Sequence, residues 1–155
     1  MESRDNFKEY VFKYFGPKTI LESDDLTVVI RGHLLIENIL EKILSTKLNI
    51  KVFEEKDLTF DLKLKMAHSM NLLVNLYPAI KRLNKIRNVF AHKLETKLED
   101  QDITIFVELL ESNGYSNNVG WQETVGNKKL RLGFALHFIL GFLSAMYEAN
   151  SKQDK

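Results

Sequence analysis

The chain has no cysteine, and only two prolines, seven glycines and one tryptophan in 155 residues. Without cysteine there is no disulfide, no thiolate nucleophile and no Cys-ligated zinc, and a reducing cytoplasm is the simplest expected setting. Scarce Gly and Pro argue against a loop-rich or many-hairpin fold. Neither charge sign dominates: 22 Lys and Arg stand against 21 Asp and Glu, a net +1. A nucleic-acid binder of this composition therefore needs a local basic patch, because the whole molecule exerts no general pull on phosphate. The most apolar run, 130–146, is interrupted by Arg131 and His137 and includes two glycines. It predicts a buried central helix rather than a membrane span. The polar start, Met1-Glu-Ser-Arg-Asp-Asn, is not expected to be a signal peptide.

Several chemistries lack their residues. There is no phosphate-cradling Gly-rich loop, no HExxH, no EF-hand pattern and no GxSxG elbow. The four histidines, His33, His68, His92 and His137, do not show close metal-ligand spacing. No metal and no cofactor is expected.

What is present is helical periodicity on a scale that suits one domain with its own core. Residues 1–150 are expected to form that domain and 151–155 a frayed polar tail. Phe7, Tyr10, Val11, Tyr14 and Phe15 predict a first helix, ended by Gly16-Pro17. Ser23-Asp24-Asp25 offers caps for a long second helix to about Lys47, with an apolar stripe wide enough for burial on more than one side. Thr59 is a cap for a third helix through about Leu73, and Pro78 suits the first turn of a fourth. Asp100 is expected to cap a fifth, with Gly114 just past its end. The stretch 112–127 reads as a long loop that contains Trp121, and Asn127 caps a last helix to about Ala149. The expectation is an all-α single-domain bundle of five or six helices.

Within the fourth helix, Arg87-Asn88-Val89-Phe90-Ala91-His92 concentrates the chemistry. Around it, residues 81–97 hold Lys81, Arg82, Lys85, Arg87, Lys93 and Lys97 against Glu95 alone, a net +5 in a chain whose total is +1. A guanidinium grips phosphate with two parallel hydrogen bonds and stabilises developing charge. An imidazole moves protons near neutral pH. Together they suit RNA cleavage by the ribose 2′-hydroxyl, which needs an acid and a base. One clear histidine per chain implies a homodimer to supply both. On a continuous helix Asn88 stacks beneath His92, whereas Arg87, five residues away, points about 140° elsewhere. Either the helix loosens near Phe90 or Ala91, or the site is shared between subunits. Capping of the helix end by positive side chains is the structural alternative for Arg87 and His92.

The pattern Arg87-Asn88-x-x-x-His92 resembles the Arg–His motif of the HEPN superfamily, small all-helical domains that are often metal-independent ribonucleases in toxin–antitoxin and antiviral systems. The resemblance implies an HEPN-like fold and a composite site across a homodimer, with Arg87 as phosphate ligand, His92 as acid/base and Asn88 beside them. It also implies RNA as substrate and an antitoxin or defence-system protein as a possible partner, with no membrane. Lys81, Arg82, Lys85 and Lys93 are candidate RNA contacts, and Arg31, His33 and Glu37 on the second helix are candidate supports, with Glu37 within reach of His33. His68 and His137 read as structural. The HEPN toxins paired with nucleotidyltransferase antitoxins commonly carry Tyr two residues after the His, where this chain has Leu94. Ile86-Arg-Asn-x-Phe-Ala-His also resembles the mannitol-operon repressor family, which implies a non-catalytic helical regulator. A HEPN domain that binds RNA or nucleotide without cleaving is the third reading. The relaxed Arg–His spacing recurs at Arg131 and His137, without surrounding positive charge.

Overall fold

A computed structural model describes residues 15–48, 58–93, 97–112, 114, 115 and 126–151, with 9, 11 and 13 before them. The helices described are α1 (Pro17–Glu22), α2 (Asp25–Leu48), α3 (Phe60–Ser69), α4 (Tyr77–His92), α5 (Asp100–Glu111) and α6 (Lys128–Ser151). No strand occurs among the described residues. The all-α bundle expected from periodicity is what forms.

Helix α2 is the centre. It packs most extensively on α6, and also on α3 and α4. Val28, Val29, Leu35, Ile36, Ile39, Leu40, Ile43 and Leu44 are all buried, so more than one side of the helix is covered, as its wide stripe predicts. Two glycines leave room for a neighbour's side chain: Leu136 occupies the space a Cβ at Gly32 would need, and Ile20 the space of one at Gly133. By length and composition α6 could cross a membrane. Here it lies along α2 with Leu132, Ala135, Leu136, Ile139, Leu140 and Leu143 buried.

Caps set several boundaries. Asp24 Oδ1 accepts from the Thr27 amide (2.6 Å), Thr59 Oγ1 from Leu62 (3.3 Å) and Asn127 Oδ1 from Leu130 (3.1 Å). Elsewhere the observed boundaries differ from the expected ones. Asp100 is inside α5, whose N-cap is Glu99 with no side-chain hydrogen bond. Gly16-Pro17 both ends the helical turn at residue 15 and starts α1, because proline's fixed φ suits a first helical position. Helix α3 stops at Ser69 rather than Leu73. Asn71 takes φ +56, the Asn71 amide donates to the His68 carbonyl (2.9 Å) and Leu72 to Ala67 (3.0 Å). That is a Schellman stop with asparagine in the left-handed position glycine usually fills. Helix α6 continues to Ser151, one residue into the expected tail. Most of the first expected helix, Trp121 and 152–155 lie outside the described residues.

Lysines tie the ends together. Lys128 and Lys129 sit in the first turn of α6, where the helix dipole disfavours positive charge. Lys128 Nζ donates to the Leu98 carbonyl (2.7 Å), and Lys129 Nζ to those of Leu21 (3.1 Å) and Ser23 (3.0 Å). The Leu98 amide in turn donates to Asp25 Oδ2 (2.9 Å), so the segment entering α5 is held by the first turns of both α2 and α6.

A lysine also sits in the apolar stripe of α3. Lys63 is 3% exposed, beside buried Phe60, Leu64 and Ala67, and is paired with Glu37 (2.8 Å) and Glu41 of α2. Burial pulls its pKa down, but hydrogen bonds and charge from both glutamates outweigh that and hold it above the usual lysine value. The stability contributed by the lysine's raised pKa is therefore fully present below about pH 10.5, its ordinary value, and is lost as the pH rises through the higher folded-state value. Lys63→Met should lower unfolding free energy by about 3 kcal/mol, the lower end for breaking a buried pair because the carboxylates keep some water contact. Adding Glu37→Gln and Glu41→Gln should restore most of it; urea denaturation of the single and triple variants reads both effects.

Candidate functional site

Helix α4 presents the motif. Ala79, Ile80, Leu83, Ile86 and Phe90 are its buried side, a 3–4 spacing that seats it against α2, α3 and α5. Burying that side turns Lys81, Lys85, Asn88 and His92 outward, and all four are exposed. Their offsets of four, three and four residues keep them within an arc of roughly 60°. The helix contains no acidic residue.

The helix does not loosen at Phe90 or Ala91. It is regular to His92, and the chain leaves through Lys93 in an extended conformation (φ −134, ψ 108). Asn88 and His92 thus share the exposed stripe, while Arg87 lies about 140° around the helix from His92. Arg87 is half-buried, and its Nη1 donates to Asn88 Oδ1 (3.1 Å). Asn88 is paired with the arginine rather than with the imidazole above it. A single chain accordingly holds Asn88 and His92 together and directs Arg87 toward the seam with α2.

That seam is polar at one point. His33 of α2 is 4% exposed, and its Nε2–H donates to Asn84 Oδ1 (3.0 Å). The Phe60 ring lies against it, with centroids 4.0 Å apart. Glu37, expected within reach of His33, turns instead to Lys63. Arg31, two residues away and so on another side of α2, reaches Ser23 Oγ (3.3 Å) and does not join His33. Of the three expected supports, only His33 bonds to α4; Glu37 turns to Lys63 of α3 and Arg31 to Ser23.

The basic candidates also divide. Lys81 and Lys85 are exposed on the stripe, whereas Arg82 is half-buried and ion-paired with Asp102 of α5, so it braces the α4–α5 contact. Lys93 lines a cleft of about 380 Å³ between α4 and α5 with Ile86, Val89, Phe90, Lys97, Glu99 and Asp102. The second Arg–His pair is structural on its histidine side: His137 Nε2–H donates to the Phe15 carbonyl (2.6 Å). Among the described residues no three His, Asp or Glu gather as a metal site.

Sequence reasoning missed Asn84, Lys63 and the ring pair His68–Tyr77, whose centroids are 4.1 Å apart at 17°. Lys63 was readable as a lysine at a core position of α3, between Phe60 and Leu64. Asn84, one turn before Asn88, carries no local sign of its partner 51 residues earlier.

Compared with protein-family models, with curated proteins and with solved structures, the chain finds no match.

Burial holds the His33 pKa below 6.5; the hydrogen bond to Asn84 and the charge of Glu37 oppose this, while Arg87 and Lys63 reinforce it. The unfolded chain therefore binds this proton at higher pH than the fold does. The stability contributed by the neutral ring is complete above pH 6.5 and is lost as the pH falls from 6.5 through the folded-state value. The urea midpoint should fall between about pH 7 and pH 5. His33→Gln, which keeps an N–H for Asn84 Oδ1, should flatten that fall even if its midpoint at neutral pH is lower.

Proposed function

We propose that this chain is a metal-independent endoribonuclease of HEPN type, acting as a homodimer with a composite site. The reading is carried by one observation: Asn88 and His92 stand exposed, one turn apart, at the end of a helix whose outer face is basic and free of acids. The resemblance of Arg87-Asn88-x-x-x-His92 to the HEPN motif supplies the chemistry.

In the proposed reaction a ribose 2′-hydroxyl attacks its adjacent phosphorus. The 2′-O–P bond forms and the P–O5′ bond breaks, leaving a 2′,3′-cyclic phosphate and a free 5′-hydroxyl. One His92 takes the 2′ proton as base, and the imidazolium of the second subunit's His92 gives a proton to the departing 5′ oxygen. Arg87 neutralises charge on the non-bridging oxygens. Because Arg87 and His92 of one chain point apart, each chain supplies half a site, and dimerisation becomes part of the mechanism. A toxin or antiviral effector role, held in check by an antitoxin or triggered by a partner protein in the cytoplasm, follows from the same resemblance.

The test is cleavage of varied RNAs by purified protein in EDTA. His92→Ala should slow cleavage by about 10²–10⁴-fold with its helical circular dichroism unchanged, and products should end in cyclic phosphate. Uncut RNA with a folded wild-type dimer would sink the nuclease reading. A regulator akin to the mannitol-operon repressors, or an RNA-binding domain without cleavage, would then take its place. The divergence of Arg87 from His92 within one chain favours those two if the protein proves monomeric.

A further inference from the structure

The exposed stripe of α4 does not begin at Lys81. One turn earlier, on the same side, stands Tyr77, half-buried at the first position of the helix. His68 near the end of α3 lies flat on it, with ring centroids 4.1 Å apart and planes 17° from parallel. The Lys81 ammonium is 5.6 Å from the Tyr77 centroid, within cation–π range. Tyr77 packs against the core, which fixes the lower ring, while His68 is exposed, which leaves its outer face to solvent. From Tyr77 the stripe runs through Lys81, Lys85 and Asn88 to His92, within an arc of about 80° and over roughly 22 Å at 1.5 Å per residue. The acid two turns back on α3, Asp61, is ion-paired with Lys65 at 2.6 Å, so it does not oppose an incoming anion with its full charge.

We propose that this stripe is a binding track for single-stranded RNA, with the His68–Tyr77 ring pair as a platform on which one base stacks, upstream or downstream of the bond at His92. The proposal rests on the RNA-directed reading above and adds where, and by what contact, the strand is held. Flat rings that continue a stack, combined with lysines along the backbone path, are the two elements that hold single strands without reading sequence. A duplex hides its base faces and cannot use the platform, so the track selects unpaired RNA. At the 3.4 Å spacing of a stacked strand, its length corresponds to about six or seven nucleotides. The stacked base therefore lies several nucleotides from the cleaved bond.

The experiment measures binding of two fluorescent strands of about twelve nucleotides to the full chain. One is 2′-O-methyl oligoadenylate, which has no 2′-hydroxyl to attack; the other is an abasic strand of equal length and charge. The wild type should bind the adenylate strand about five- to a hundredfold more tightly, the range for stacking one base. His68→Ala should remove most of that preference and leave abasic affinity unchanged, while His68→Phe, which keeps a flat ring, should retain it. Lys85→Ala should weaken both strands alike and reduce the salt dependence. Equal affinity of the wild type for both strands, a preference that survives His68→Ala in a folded variant, or no binding at all would overturn the platform. Cleavage of unmodified RNA in EDTA is scored separately. Cleavage without a base preference removes the platform and leaves the nuclease; a His68-dependent preference without cleavage removes the nuclease and leaves the track.

Discussion

The seating of α4 on α2 decides which of its side chains reach solvent. Ala79, Ile80, Leu83, Ile86 and Phe90 are the buried apolar side of α4, and the hydrogen bond from buried His33 of α2 to Asn84 fixes its rotation and register. Apolar packing alone tolerates small rotations and shifts, since hydrophobic attraction is non-directional. A buried imidazole that has one partner does not, because losing it would leave a polar group unsatisfied out of water. With α4 so locked, Lys81, Lys85, Asn88 and His92 must face solvent, and Arg87 must lie by the seam.

Polar groups placed in or at the edge of the core do the same locating work elsewhere. Lys63 joins α3 to α2 through two glutamates, Arg82 joins α4 to α5 through Asp102, and Lys128 and Lys129 close the ends of α1, α2 and α5 around α6. These pairs add specificity of position more than net stability, because desolvation offsets most of their attraction. The consequence for function is a division of the basic residues. Some are consumed as braces, and those left on the outer side of α4 form a narrow stripe that ends in a ring pair at one end and a histidine at the other.

Much of this was legible in advance. Apolar spacing determined the five helices α2 to α6, and Thr59, Asn127 and Pro78 marked starts among them; the short α1 after Gly16 was not expected. The angle between Arg87 and His92 was also readable, since it follows from helical pitch alone on a helix that stays regular to His92. Two boundaries were not. Asn71 stops α3 because it accepts the left-handed conformation, a weaker local signal than glycine would give, and Glu99 rather than Asp100 precedes α5.

The chain by itself therefore determined an all-helical domain and the concentration of charge around Arg87-Asn-Val-Phe-Ala-His92. Both depend on composition and on the period of one helix, which are local properties. Only the tertiary structure decided which charges remain available, because that depends on partners distant in sequence: Asp102 for Arg82, Asn84 for His33, Glu37 for Lys63. It also decided that His68, read as merely structural, stacks on Tyr77 in line with His92. Residues from two helices share one surface only after the Schellman turn at Asn71 has folded α3 back against α4.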